Sequence, residues 1–428
     1  MRRRFCFLAL IYYGFCLTLS AETTRATDVM QSPQSNFQFV SAPNPSAIQG
    51  VMQAPPSLGS EALISLLTCS PSDDAVFTLY GHTAIRVFDP ATTVDFVFGY
   101  GMFDDSKPNF IYRFAKGETD YALGVDDFNR FLIEYVMRGS EVCEQILNLL
   151  PEEKEALWQA LCLNSLPENR MYRYNFFFDN CATRPVVMIE NNIRGTIYYV
   201  PQDEYPAFRD VINYCTRYNS WITFGCDLVL GLPTDRTMTL RETFFIPDYL
   251  KKSFDKAEII RNGKSEPLVI QTNILTEKTL NPDFLILFPP SPLTCFTLLF
   301  IAVLLLTLLE RRKKKYYRWI DSILFFFAGM AGCVLFFLSF ISVHPSIFPN
   351  MSLLWLHPLH LMGVILFSVK KFKMMAFWYH YINFAVILFM SVAWIFIPQH
   401  FNIAFIPLIA SLWLRSGGAL LRKKNLTG

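Results

Sequence analysis

Beyond about residue 290 the sequence consists of apolar stretches, near 293–309, 320–343, 351–369, 379–397 and 403–421, separated by short polar junctions. A run of about 17 to 25 apolar residues is the length at which a helix crosses the hydrocarbon of a bilayer, and only a helix satisfies such a run's backbone there. Residues 284–428 are therefore expected to form a bundle of five transmembrane helices. Acidic residues nearly vanish past Phe284, whereas charge is well mixed before Asn281, so the chain divides into two unlike parts.

Basic clusters orient the bundle. Arg311-Arg312-Lys313-Lys314-Lys315, then Lys370-Lys371 with Lys373, then Arg422-Lys423-Lys424 follow the first, third and fifth stretches, and basic loops face the cytoplasm. The junctions at 344–350 and 398–400 carry no Lys or Arg and are expected outside. An odd number of spans then puts the N-terminal part outside as well. Met1-Arg2-Arg3-Arg4, an apolar run from Phe5 to Leu19 and the small residues Ser20-Ala21 agree with this, reading as a secretory signal over 1–21, with an uncleaved anchor as the alternative. Phe15 beside Cys16 fits a lipoprotein cleavage site poorly. The expected location is the inner (cytoplasmic) membrane, multi-pass, with the N-terminal domain in the periplasm. The net charge of +2 hides basic residues clustered between apolar runs, a pattern that argues against nucleic acid as a partner.

Residues 22–57 are rich in Pro, Ser, Gln, Asn and Thr and read as a disordered linker. A globular domain over 58–283 follows. Strand signals cover Ala62–Thr68, Ala75–Tyr80, Ala84–Phe88, Val94–Phe98, Tyr121–Val125, Val142–Leu149 and Met171–Phe178. Asp126-Asp127 caps a helix with Phe128, Phe131, Leu132 and Tyr135 on one face, ending at Gly139, and Pro151-Glu152-Glu153 opens another running to Leu163. The class is α+β, followed by an all-α transmembrane bundle.

Reactive side chains concentrate in two places. In Leu79-Tyr80-Gly81-His82-Thr83-Ala84-Ile85-Arg86, a glycine interrupts a strand edge where a histidine is presented. In Tyr172-Arg173-Tyr174-Asn175-Phe176-Phe177-Phe178-Asp179-Asn180-Cys181-Ala182-Thr183-Arg184, an aromatic strand ends in the capping residues Asp179-Asn180, and Cys181 enters a helix reaching Asn192. A helix start favours thiolate, although Pro185 weakens a simple cap here. His82 is the sole histidine before His344, so a Cys-His chemistry of the exported domain pairs Cys181 with His82. Either residue could instead be a packed core side chain. The exported cysteines Cys69, Cys143, Cys162, Cys181, Cys215 and Cys226 contain no C-x-x-C, which supports neither metal nor redox relay, and Cys215 could pair with Cys226. No cofactor is expected.

At these residues the sequence resembles the Lnb N-terminal periplasmic domain family, whose members join such a domain to a membrane bundle. The likeness runs in order through Tyr80–Val87, Tyr100–Asp104, Pro108–Phe110, Pro167–Arg170 and Tyr172–Arg184, within residues 60–250, and Leu353–His360 looks like the family's third span. Asn175, Asp105 and Gly99 depart from the pattern and leave any third catalytic member open. The resemblance implies lipoprotein N-acyltransferase activity, with a phospholipid as acyl donor and a lipoprotein's diacylglyceryl-cysteine amine as acceptor. It also suggests a permuted papain-like domain of the NlpC/P60 or lecithin:retinol acyltransferase kind, with Cys181 as nucleophile, His82 as base and backbone amides at the helix start as oxyanion donors.

Tyr80, Tyr100, Asp104 and Asn109 are candidates to orient His82, or serve packing and turns. Asp179 and Asn180 support the cysteine turn, and Arg184 meets a phosphate or forms a helix-surface ion pair. His357 and His360 are polar positions in the third span, suited to lipid headgroup contact or hydrogen bonding between helices rather than to a metal. A Cys-His peptidase or amidase acting on cell-wall peptide and a non-catalytic membrane scaffold are the alternative functions.

Overall fold

The computed structural model describes residues 45–103, 108–279 and 290–423. The signal expected over 1–21, most of the 22–57 linker, Asp104 and the domain junction near 283 lie outside these residues.

Among the described residues ten strands form in chain order: β1 (Leu63–Cys69), β2 (His82–Phe88), β3 (Asp95–Met102), β4 (Asp120–Asp127), β5 (Val142–Leu147), β6 (Met171–Arg173), β7 (Thr196–Tyr198), β8 (Glu258–Arg261), β9 (Lys264–Pro267) and β10 (Val269–Thr276). Seven build one sheet in the order β10-β5-β1-β2-β3-β4-β6, and β7-β8-β9 form a small second one. Each neighbouring pair in the large sheet is antiparallel. The period-two alternation of side chains divides the large sheet between two cores. Ile64, Leu66, Ile85, Val87, Phe96 and Phe98 face one side, under the helices Pro151–Ser165 and Thr183–Asn191, which contribute Leu157, Trp158, Leu161, Val186 and Ile189. Leu67, Cys69, Ala84 and Val97 face the other, under Phe128, Phe131 and Tyr135 of the helix Phe128–Met137. Each fully buried side chain of this kind contributes about 1.5 to 3 kcal/mol, so a slip of one residue in register would be costly.

The two helices expected from capping signals form. Asp127 accepts from the Asn129 and Arg130 amides, and Gly139 ends the first helix with φ +66°. Three expectations change. The run Ala75–Tyr80 is a turn with 3-10 winding over Phe77–Tyr80 instead of a strand, because the Thr78 hydroxyl donates to the Ser72 and Ala75 carbonyls and accepts from the Ala75 amide. The strand expected over Met171–Phe178 stops at Arg173, since the Asn175 side chain accepts from the Phe177 and Phe178 amides and folds the chain back. The end of the expected disordered linker is ordered: Pro45–Gln53 is helical, Met52 joins the core, and Trp158 Nε1 donates to the Pro56 carbonyl at 2.9 Å.

In the C-terminal part, Pro292–Lys313, Arg318–Phe340, Met351–Ser368 and Lys373–Phe396 are long and apolar enough to cross a membrane, and Phe405–Leu421 is a shorter apolar helix. Gly329 and Gly332 let the third segment approach closely, because a Cβ at Gly332 would lie 2.5 Å from the His357 backbone. Arg415 of the fifth helix is fully buried and paired with Glu310 and Asp321 of the first two.

Two places tie the domain to the outer ends of these helices. Asn402 donates to Asp227 at 2.8 Å, while Gly231 and Leu232 amides reach the Ser346 and Pro349 carbonyls. At the other, the Val343 amide donates to the Lys116 carbonyl, and His344 Nε2 lies 2.7 Å from the Phe114 carbonyl.

Candidate active site

Gly99 and Gly101 of β3 leave the space in which the site is built. A Cβ at Gly99 would lie 3.3 Å from His82 Nε2, and one at Gly101 would lie 3.6 Å from Cys181 Cβ. Gly101 has φ +103° and is the extra residue of a bulge, since Tyr100 and Met102 pair with the consecutive residues Leu123 and Ala122. A bulge re-aims the strand locally, here beside the cysteine.

His82 opens β2, where it pairs with Cys69 of β1 and stacks on Tyr135, their ring centroids 6.4 Å apart. Burial, reinforced by the Arg138 charge, lowers its pKa to about 4. The ring is therefore neutral at pH 7 and able to accept a proton.

Cys181 is positioned from the other side of the sheet. Asn180 is buried, and its amide donates to the Phe176 and Phe245 carbonyls while its Oδ1 accepts from the Ala182 and Thr183 amides. The helix therefore begins at Thr183, and Cys181 sits in the turn before it. Burial pushes the thiol up to about 11, although the Thr83 and Cys181 amides and the Tyr174 hydroxyl hydrogen-bond to it. The expected helix-start thiolate is thus corrected. Desolvation outweighs the dipole, and Asn180 has taken the two amides that would have carried it. The same capture removes the Ala182 and Thr183 amides as free oxyanion donors. The Cys181 amide, which hydrogen-bonds the thiol and the Tyr174 hydroxyl, lies at the sulfur itself. Thr83, whose amide reaches the sulfur, immediately follows His82, and Cys69 and Tyr135, which adjoin the imidazole, also lie within electrostatic reach of Cys181. Cys181 and His82 thus share neighbours at the end of β2.

The other expected residues divide. Asp179 and Arg184 form a two-bonded ion pair at 2.6 and 2.8 Å, with the guanidinium 3.6 Å over the Tyr172 ring, so the helix-surface ion pair is the arrangement found. The described candidates to orient His82 make other contacts. Tyr80 packs on Phe176 and hydrogen-bonds Cys226; Tyr100 donates to Asn164 at 2.6 Å in the opposite core; and Asn109 precedes the helix Phe110–Lys116 with φ +57°. Cys215 and Cys226 are both free thiols. His357 and His360 stack at 4.0 Å, and His360 bonds Tyr379 and the Trp355 carbonyl. Among the described residues no group of three His, Cys, Asp or Glu is placed to hold a metal. A cavity of about 620 Å³ beside β4 includes Met102 and Phe103 but neither Cys181 nor His82. Tyr174, Tyr135, Gly99 and Gly101 also line the site, although the sequence marked none of them as a site residue. The one signal was the pair of glycines flanking Tyr100, in a strand otherwise rich in bulky residues.

A sheet-rich periplasmic domain docked on a helical transmembrane domain defines a membrane protein with its N-terminal domain in the periplasm. The family model of the Lnb N-terminal periplasmic domain matches residues 60–214, and that of the Lnb transmembrane domain matches residues 283–425. The chain belongs to the Lnb family. No curated protein and no solved structure matches it.

Proposed function

We propose that this protein is a lipoprotein N-acyltransferase of the inner membrane, moving an acyl chain from a phospholipid to the α-amino group of a lipoprotein's diacylglyceryl-cysteine through a thioester on Cys181. The observation that carries this reading is the placement of a half-buried neutral thiol and a neutral imidazole around the gap at Gly99 and Gly101, in a domain fastened to the outer ends of membrane helices. We assign residues 58–283 to this catalytic domain, 284–428 to a five-helix bundle and 1–21 to the signal. A histidine on a sheet strand, followed later in the chain by a cysteine in the turn that leads into a helix packed on that sheet, supports a permuted papain-like fold.

With the thiol near 11 and the imidazole near 4, the pair rests neutral, and proton transfer accompanies attack. Cys181 Sγ bonds to the ester carbonyl carbon as its proton passes to His82. The oxyanion receives hydrogen bonds from the Cys181 amide and the Tyr174 hydroxyl. Collapse breaks the carbon–oxygen bond to glycerol, and the departing oxygen takes the proton from His82, leaving a thioester and a lysophospholipid. The lipoprotein's neutral amine then attacks the thioester carbon. Its proton travels through His82 to the departing sulfur, which regenerates the thiol and completes the amide.

Mass spectrometry of mature lipoproteins from cells with and without the protein tests the reading. Triacylated forms should disappear without it and stay absent when Cys181→Ser is supplied. Unchanged lipoproteins with altered cell-wall peptides would identify a peptidase or amidase instead.

A further inference from the structure

From the sulfur of Cys181 an unbroken row of aromatic rings leads to the membrane. The Tyr174 hydroxyl hydrogen-bonds the thiol, and its ring stacks on Tyr121 with centroids 4.2 Å apart. Phe103 follows at 5.4 Å, Phe110 at 5.7 Å and Phe114 at 6.1 Å. Phe114 then meets His344 at 6.1 Å, just past the outer end of the span Arg318–Phe340, and Tyr112 meets Phe337 within that span at 5.9 Å.

The helix Phe110–Lys116 that carries the outer rings is unusual for a water-facing element. Its sequence is Phe-Ile-Tyr-Arg-Phe-Ala-Lys, none of its residues is buried, and Ile111, Tyr112 and Phe114 are 51, 54 and 50% exposed. Its charged side chains turn to the protein, Lys116 pairing with Glu118 and Arg113 with Asp120. Hydrogen bonds from Val343 and His344 hold the helix at the level where the second span ends. An apolar aromatic face fixed at that height meets the headgroup and upper acyl region of the outer leaflet, where Tyr and Phe are well accommodated.

We propose that this row is an acyl-chain track: one chain of an outer-leaflet phospholipid leaves the bilayer along Phe114, Phe110 and Phe103, which delivers its ester to Cys181. The inference rests on the acyl-transfer reading and adds to it the route of the donor. The occupant is an acyl chain rather than a peptide because one end of the row lies at the end of a membrane span, the other lies at the thiol, and the rings between them offer no charged group. The track explains how a reaction at a thiol outside the bilayer can use an ester that water does not carry. It also gives the docking of the domain onto the second span a purpose beyond tethering.

The full chain in nanodiscs of phosphatidylethanolamine, without lipoprotein, tests this with two donors. One is the bilayer phospholipid; the other is water-soluble p-nitrophenyl butyrate. Acylation of Cys181 is read by intact-protein mass spectrometry. In Phe110→Ser/Phe114→Ser, acylation from phospholipid should slow by roughly tenfold or more, because lost apolar contacts raise the barrier only for a chain that uses them. Acylation from the soluble ester should stay within about twofold, since the reacting groups are unchanged. Equal phospholipid rates in variant and wild type would overturn the track. So would a parallel loss with both donors, which would assign the rings to folding. If wild type is acylated by neither donor, the acyl-transfer reading itself fails, a different result from failure of the track. A phospholipid carrying a diazirine in one acyl chain provides a test in the unmutated protein. Adducts on Phe103, Phe110 or Phe114 are expected, and adducts confined to the bundle would refute the route.

Discussion

Replacing Gly99 with valine puts a side chain where the His82 imidazole now lies. A Cβ at this position would already sit 3.3 Å from Nε2, closer than relaxed contact, and the valine methyls extend about 1.5 Å further along bonds of ordinary length. The ring must therefore move by about 1 Å, and a misplacement of that size costs about a hundredfold in rate. Full displacement of the base would cost up to about 10,000-fold. Gly99→Ala demands a shift of only a few tenths of an ångström, so about a three- to tenfold loss is expected. Stability should move the other way or hardly at all. Gly99 sits within β3, paired with Ala84 and Gly124, where a β-branched residue gains up to about 1 kcal/mol of strand preference against a similar overpacking cost. The assay is the initial rate of Cys181 acylation from phospholipid, with circular dichroism and thermal unfolding in the same detergent. Alanine and valine should give graded losses at nearly constant melting temperature. If the valine protein acylates at the wild-type rate, the imidazole is not the base and the site is wrongly assigned.

Because His82 titrates near 4 in the fold and near 6.5 when unfolded, the unfolded chain binds more protons between those values; stability should therefore decline as pH falls through that window. The acid limb of acylation should lie near pH 4, and Arg138→Gln should move it upward by removing a charge that lowers the histidine, as a pH–rate profile will show. With its thiol near 11, Cys181 should react slowly with iodoacetamide at pH 7 and still be accelerating at pH 10; Tyr174→Phe should slow it further at fixed pH by deleting a hydrogen bond that favours thiolate. Asp227→Ala should destabilise the protein by about 3 kcal/mol, the lower end for a broken buried pair because Asp235 still holds Arg209, and should speed proteolysis between domain and bundle. Arg415→Met, which leaves Glu310 and Asp321 buried together, should cost about 3 to 5 kcal/mol in detergent unfolding, and adding Glu310→Gln with Asp321→Asn should recover most of it.

Much of this organisation was legible in the residues. Apolar run length and the basic clusters that begin at Arg311, Lys370 and Arg422 give the membrane segments and an orientation, because hydrocarbon admits few alternatives. Strand-forming runs over β1 to β5 and the Asp127 and Pro151 caps give five of the large sheet's strands and two helices, since these signals act within a few residues. Local signals failed where a side chain outcompeted the backbone. Thr78 turned an expected strand into a turn, and Asn175 ended another.

The candidate site separates in the same way. That a Cys-His chemistry of the exported domain would have to pair Cys181 with His82 follows from counting histidines and from the turn chemistry around each residue. Their protonation does not, because a pKa depends on how much water and which charges surround a group, and those come from segments far apart in the chain: Tyr135 and Arg138 around His82, Thr83 and Tyr174 around Cys181. The aromatic residues from Phe103 to Phe114 are equally visible in sequence, yet nothing local tells core from lipid-facing. Only the docking of that short helix beside Val343 and His344 sets its height in the membrane. Composition and periodicity thus determined which segments enter lipid and which residues could react, because those are properties of a few neighbours. Packing decided the charge of the thiol, the donors left for an oxyanion and the path from bilayer to sulfur, because burial and approach are properties of the whole chain brought together.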